Sequence, residues 1–300
     1  MKAVMIDAYG GPEKLRIGAC GKPVRSDGEI LIRVAAVGVN PADGKWRAGM
    51  FAGFLPLSFP HITGYDVAGT VEAGDGFAPD SRVVAILPPL RQGGYAEWVA
   101  APIENVAPIP ETLDFAAAAA IPTPGLTGVQ LIEEQLDVQL GHRVLVTGAT
   151  GAVGRFAMFA AKARGATVIA AVRAAQREAA RALGADTVLT LGAEDWDGLT
   201  FDRVADTVGG AQVARLCRHV AADGVIRTAA TTPIPSEGLP VEPAGFAVHA
   251  DAGRLAALAA AVAAGEIAVL IAHILPLDEA QQAHRLLEAG GVGGKIILRP

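Results

Sequence analysis

Over roughly the first hundred residues, apolar and polar positions alternate in short runs: Lys2 to Ile6, Ile30 to Val37, Val67 to Ala73, Arg82 to Ile86 and Tyr95 to Ala100. Alternation with a period of two sends successive side chains to opposite faces of a strand, and the Gly, Pro and Asp between the runs mark turns. The pattern predicts a compact, mostly antiparallel β domain. From about Ala116 the texture changes to Ala-rich helical stretches. These alternate with strands at Arg143 to Thr147, Thr167 to Val172, Thr187 to Leu191, Asp202 to Asp206 and Val225 to Ala229. That rhythm is the signature of βαβ units on a parallel sheet. A helix at Leu277 to Glu288 and a strand at Lys295 to Leu298 are expected to rejoin the first domain. The expected division is therefore 1–115 with 275–300, and 116–274.

The segment RVLVTGATGAVGRFAMFAAKARG runs from an apolar strand through tight glycines into a helix with Val153, Phe156, Ala157 and Ala160 on one face. Strand, turn and helix in that order are the context in which a dinucleotide fingerprint carries weight. Gly148, Ala149, Thr150, Gly151, Ala152, Val153 and Gly154 are the candidate cofactor-binding residues. Gly151 lets backbone approach a pyrophosphate, Gly154 permits close packing, and the helix start offers unpaired N–H donors. The pattern reads AxGxxG, with Gly148 one step early. The competing reading is a glycine-rich turn that binds nothing. After the next strand, where Asp or Glu would hold a free ribose 2'-hydroxyl, the chain has Arg173, with Arg177 one turn later. A guanidinium suits a 2'-phosphate, so NADPH is expected over NADH. A solvated surface arginine is the alternative.

Composition narrows the classes. With 51% hydrophobic residues among 300, the chain can bury two cores. A net charge of -6 and the lack of a Lys/Arg run argue against a nucleic-acid partner. Met1 to Ala8 reads as a strand and not an export signal. The most apolar helical stretch, Leu255 to Ala264, is broken by Gly265 and Glu266 before the ~18 residues a membrane span needs. Cys20 and Cys217 are far apart and have no CxxC partner, so neither a disulfide nor a cysteine zinc site is expected, and a reducing cytoplasm is. His61 is the only histidine in the first 115 residues, and a lone His makes no zinc site.

GVNPAD at Gly38 to Asp43, HITGYDVAGTV at His61 to Val71, GGYAEW at Gly93 to Trp98, IPTPGLTG at Ile121 to Gly128 and FDRVADTVGG at Phe201 to Gly210 occur in order, and GGKIIL at Gly293 to Leu298 closes the series. Together with the glycine turn they resemble the medium-chain dehydrogenase/reductase superfamily, nearest its zinc-independent quinone oxidoreductase branch. The resemblance implies an α/β protein, a GroES-like β-rich catalytic domain with a doubly wound Rossmann domain, and a nicotinamide in the cleft between them. It also implies that Asn40 lies near the nicotinamide and substrate and Thr127 near the ring, and that Val208 and Lys295 contact the cofactor. Asp66 belongs to the Gly-x-Asp/Glu signature, or is a buried structural carboxylate. Zinc-dependent relatives carry Cys and His where this chain has Asn40 and Tyr65, and no metal is expected. Tyrosines frequent in the branch are replaced by Lys45 and Phe51.

The expected reaction is hydride transfer from NADPH to a small apolar quinone or to the β-carbon of an α,β-unsaturated carbonyl. The oxygen that gains charge calls for donors, and Asn40 and Lys45 are the candidates, with Tyr65 a third. The alternatives are a surface lysine at Lys45 and a turn-shaping role for Asn40. Trp46, Phe51, Phe54 and Phe59 line an apolar pocket or pack against the domain body. Thr231 to Val248 reads as a proline-rich loop. Val225 to Ala229, or the loop that follows it, is the sheet edge through which a homodimer would form. Two other functions share these features: reduction of an enoyl thioester or biosynthetic intermediate, and NADPH binding without turnover in a sensor or structural protein.

Overall fold

The computed structural model describes residues 1–193, 196 and 198–300. The chain forms two compact units, Met1–Thr123 with Ala250–Pro300, and Pro124–His249.

The first unit is built on β3 (Glu29–Val39), long enough to pair antiparallel with three other strands: β5 (Asp66–Ala73), β7 (Trp98–Pro102) and β16 (Lys295–Arg299). β6 (Arg82–Ile86) and β8 (Val106–Pro108) continue the sheet beyond β5, and β15 (Ile271–Pro276) pairs parallel with β16 on the other side. β1 (Lys2–Ile6), flanked by β2 (Arg16–Ala19) and β4 (His61–Ile62), makes a smaller sheet. Inward positions of these strands, among them Ile30, Ile32, Val37, Val67, Val83, Ile296 and Leu298, share one core.

Short helices follow these strands. α1 (Pro41–Ala48) leaves directly from the end of β3 and stops at Gly49, whose φ of 81° is the left-handed cap. α2 (Phe115–Ala119) lies on β3 and β5. It can do so because Gly38 has no side chain: a Cβ there would stand 2.1 Å from the Ala119 carbonyl oxygen. α3 (Pro122–Gln130) then carries the chain into the second unit.

The second unit is a six-stranded sheet, all of it parallel. β9 (Arg143–Thr147) is central, β10 (Thr167–Val172) and β11 (Thr187–Thr190) lie to one side, and β12 (Phe201–Asp206), β13 (Val220–Thr228) and β14 (Ala244–Gly245) to the other. The order reverses at β9, the switch point outside whose strand ends doubly wound sheets bind ligands. α4 (Ala152–Ala163) follows β9 and buries Phe156, Ala157 and Ala160, the predicted face, while Val153 is half-buried. α5 (Arg177–Ala182) and α6 (Gly210–Cys217) make the next crossovers.

The structure departs from the sequence reading in four places. The units divide at 123/124 and 249/250 and not at 115 and 275. Residues 116–123 belong to the first unit because α2 packs on β3 and β5, and Thr123 bonds to Asp66. Residues 250–274 belong there because α7 (Ala252–Ala263) packs on β6 and β8 and β15 pairs with β16. α1 was hidden by the Pro and Gly in PADGKWRA, which read as a turn. The expected tail helix is a 3-10 turn (Leu277–Glu279) leading into α8 (Ala280–Ala289). The strand predicted at Val225 to Ala229 is not the sheet edge, since β14 pairs outside it at Arg227 and Thr228. No described helix is long and apolar enough to cross a membrane.

Gly38→Ala should force α2 off β3. We expect a loss of about 1–3 kcal/mol, the usual range for overpacking, seen as a lower urea midpoint at unchanged m-value.

Candidate active site

The second unit's glycine turn sits at the end of β9. Gly148 has φ 61° and donates its N–H to the Ala171 carbonyl at 2.9 Å, while Gly151 donates back to the Gly148 carbonyl at 2.8 Å. A Cβ on Gly148 would lie 2.5 Å from Thr207 Oγ1, and one on Gly154 would lie 2.2 Å from the Gly148 carbonyl oxygen. The missing first glycine is therefore immaterial to packing: Ala149 is fully buried and Gly148 takes the strained conformation. Ala152 and Gly151 are exposed, Thr150 and Val153 half-buried. Gly151 caps α4 without a side-chain bond, and the first turn holds no acidic residue. Its N–H donors are thus available to an anion. Gly128 of α3 comes close enough that a Cβ would meet the Val153 carbonyl oxygen at 2.7 Å, which seats the buried Thr127 on a helix pressed against this turn.

Other groups surround the strand ends. Buried Asp206 accepts bonds through Oδ1 from Thr147 Oγ1 (2.5 Å) and from the backbone N–H groups of Val208 and Gly209 (3.0 Å each). Through Oδ2 it accepts from Thr228 Oγ1 (2.6 Å). These bonds tie three strands together and shape the loop carrying Val208, which is exposed. Arg173 is exposed, its Nε 3.3 Å from Gln176 Oε1. Arg177 donates to Thr190 Oγ1 at 2.8 Å, so part of its guanidinium is already engaged. Sequence reasoning missed Arg155, whose Nε donates to the Thr150 carbonyl at 3.0 Å and whose pKa is lowered by burial. The available signal was a cation in the first turn of a helix, where the macrodipole disfavours one.

In the first unit the candidate residues meet in a buried polar cluster. Asn40 is 3% exposed. Its Nδ2 donates to Asp66 Oδ2 at 2.7 Å and to the Gly38 carbonyl at 3.4 Å, and its Oδ1 accepts from Lys295 Nζ at 2.5 Å. Lys295 also donates to the Val39 carbonyl at 2.9 Å. Asp66 accepts from the Thr123 backbone N–H and hydroxyl. Both Asn40 N–H groups have protein acceptors, and the Lys295 ammonium donates to Asn40 and Val39 within the first unit.

Tyr65 is buried, its hydroxyl has no hydrogen-bond partner among the described residues, and burial with Asp43 nearby raises its pKa. Lys45, on α1, is half-buried, which lowers its pKa. Trp46 and Phe51 stack at 4.6 Å between centroids and Phe51 meets Phe54 at 6.1 Å, with Phe54 itself exposed. Burial pushes Asp43 up to about 7 and raises Asp66, with Lys295 opposing both. Lys295 is itself lowered by burial against the pull of Asp66 and Asp43. His61 is buried without a partner on Nε2, and burial lowers it to about 4. Cys217 is buried and pushed up to about 12.

Residues 26–111 match the model of the alcohol dehydrogenase GroES-like domain, and residues 183–298 that of the zinc-binding dehydrogenase. The chain is 36% identical over 205 residues to the chloroplast envelope quinone oxidoreductase homolog of Arabidopsis thaliana, covering 63% of this chain and 60% of that protein. It is 30% identical to the mitochondrial NAD(P)H oxidoreductase RTN4IP1 of Mus musculus, covering 99% of this chain and 89% of the relative. This chain belongs to the medium-chain dehydrogenase/reductase superfamily, in its quinone oxidoreductase branch. The quinone oxidoreductase structure from Coxiella burnetii superposes with a TM-score of 0.88 at 28% identity, covering 100% of this chain and 99% of the other. For a dehydrogenase/reductase of this branch, the GroES-like domain expected from the first-domain motifs and the parallel-sheet nucleotide-binding domain are both present.

The Asp43 carboxyl titrates above its unfolded value of about 3.9, so its contribution to stability is fully present below pH 4 and is lost as pH rises towards 7. The stability of the wild type relative to Asp43→Asn should therefore fall between pH 4 and 7, by up to about 1.4 kcal/mol per pH unit. Urea unfolding of both proteins across that range reads the difference.

Proposed function

We propose that this chain is an NADPH-dependent, zinc-independent oxidoreductase that delivers hydride to a quinone or to the β-carbon of an α,β-unsaturated carbonyl. The reading is carried by the glycine turn at the switch point of the parallel sheet. There a left-handed Gly148 and a tightly packed Gly154 leave an uncapped helix start, and Arg173 stands where an acid would hold a free 2'-hydroxyl. Arg155 adds a second positive charge beside the turn. The names of the Arabidopsis, human and Coxiella relatives, all quinone oxidoreductases, support the acceptor class.

A zinc ion fits the residues poorly. At the positions where zinc-dependent relatives carry Cys and His stand an amide and a phenol, and the amide oxygen faces the Lys295 ammonium at 2.5 Å. The Asp66 oxygens are occupied by Thr123 and Asn40. An ammonium already in place repels a dication.

When bound, the dihydronicotinamide supplies the hydride. The chain's own work is to grip the phosphates with the α4 N–H donors and Arg155, to select the 2'-phosphate with Arg173, and to meet the developing negative charge. Of the three candidate donors, Lys45 has a pKa lowered by burial and no ammonium partner among the described residues, whereas the unpartnered Tyr65 hydroxyl holds its proton more tightly than usual. An ammonium that releases its proton more readily suits protonation of an enolate or a quinol oxygen.

NADPH oxidation at 340 nm across a panel of quinones, enones and enoyl thioesters should show turnover with at least one of the first two. Tight NADPH binding without oxidation by any acceptor would sink the enzyme reading. Arg173→Asp should raise KM for NADPH by about 10- to 100-fold, the worth of one charge-assisted contact, and leave KM for NADH nearly unchanged. Equal effects on both would remove the 2'-phosphate role.

A further inference from the structure

Asp43, Arg47, Tyr95 and His284 form a buried chain that hydride transfer does not use directly. Arg47 is 2% exposed. Its Nε donates to the Gly10 carbonyl (3.0 Å), its NH2 to Glu288 (2.6 Å) and its NH1 to His284 Nδ1 (2.9 Å). A guanidinium only donates, so His284 Nδ1 must be bare. Burial and the Arg47 charge lower His284 to about 3, which keeps the imidazole neutral with its hydrogen on Nε2. That Nε2–H points at the Tyr95 hydroxyl oxygen, 3.0 Å away. Tyr95 therefore sends its own hydrogen to Asp43 Oδ2 at 3.1 Å, beside the Asn40 backbone N–H at 2.8 Å. One residue that cannot accept thus sets the direction of every bond up to the start of α1.

The Asn40 side chain is held separately. An isolated Asn has two nearly equivalent amide orientations. Here Lys295 donates to Oδ1 while Asp66 accepts from Nδ2, and only one orientation satisfies both. His284 lies on α8 and Lys295 on β16, so the last helix and last strand grip the same turn. Buried charge is weak evidence for stability, since apolar replacements of equal volume are frequently neutral or stabilising. A device with this many directed bonds calls for a geometric reason.

We propose that His284, acting through Tyr95 and Asp43, and Lys295, acting on Asn40 directly, are positioning residues that hold the Asn40–Lys45 turn in the single arrangement required for turnover. The proposal rests on the hydride-transfer reading of this turn. The groups facing Asp43 are Tyr95, Tyr65, Asp66 and Lys295, and those facing His284 are Arg47 and Tyr95.

Tyr95→Phe keeps the ring and removes the link. It should lower kcat by about 10- to 100-fold, as a displaced catalytic group does, with KM for NADPH within twofold of wild type. His284→Leu should do the same, and the double variant should be no worse than either single one, because both cut one chain. His284→Gln, which restores an N–H towards Tyr95, should recover most of kcat. Lys295→Met should lower kcat independently. Unchanged kcat in folded Tyr95→Phe and Lys295→Met overturns the proposal, as does a KM-only effect.

Two measurements stand apart from turnover. Nitrogen-15 NMR of the wild type should show His284 in the Nε2–H form from pH 5 to 8, and an Nδ1–H form or a titration in that range overturns the chain. Exchange of the Asn40 amide hydrogen should quicken at least tenfold in Tyr95→Phe, and an unchanged rate overturns it. A wild type that oxidises no NADPH counts against the hydride reading, while these two results still decide whether the chain positions the turn.

Discussion

The first unit depends on how it buries charge at the end of β3. Two carboxylates, Asp43 and Asp66, and one ammonium, Lys295, lie out of water within a single cluster, with the Asn40 amide between Asp66 and Lys295. Ions out of water are tolerable only when each is paired and hydrogen-bonded. Asp66 is met by Asn40 and by Thr123 and Lys295 by Asn40 and Val39, whereas Asp43 is met by the Asn40 backbone and Tyr95 through Oδ2 alone, with no partner for Oδ1 among the described residues, and burial pushes it up to about 7. Those bonds dictate where α1 starts, how the segment after α2 approaches β5, and where the chain's last strand must lie.

Close backbone approach is the complementary constraint. Gly38 admits α2 onto the strand that carries Asn40, and Gly154 admits α4 onto the turn that follows β9. Both glycines serve packing first. The exposed N–H groups at the start of α4 are a by-product of that geometry, and they are what a phosphate would meet. The turn keeps this geometry with alanine at the first glycine of the usual pattern, because Gly148 supplies the positive φ and Gly154 the close approach.

The same cluster sorts the polar side chains. Asn40 is bonded at both ends of its amide, Tyr65 is a buried phenol whose proton is held more tightly than usual, and Lys45 is half-buried with a lowered pKa. With an amide and a phenol at Asn40 and Tyr65, the local chemistry rather than the shared fold decides what the site can do.

What the sequence determined by itself was periodic or contiguous. β1, β6, β9 and β10 lie where the alternation and apolar runs placed them, because strand formation follows local pattern. The glycine turn was legible because strand, glycines and helix are adjacent in the chain. Only the tertiary structure decided the rest. α1 was masked by Pro41 and Gly44, and the unit boundary moved because α7 packs on strands more than a hundred residues away and β15 joins the first unit's sheet through β16. His284 and Lys295 lie about 240 to 255 residues from the turn they hold, at a separation where no local pattern records a contact. The orientation of the Asn40 amide depended on Lys295 and Asp66, since a hydrogen bond is a property of the pair and only folding brings the pair together.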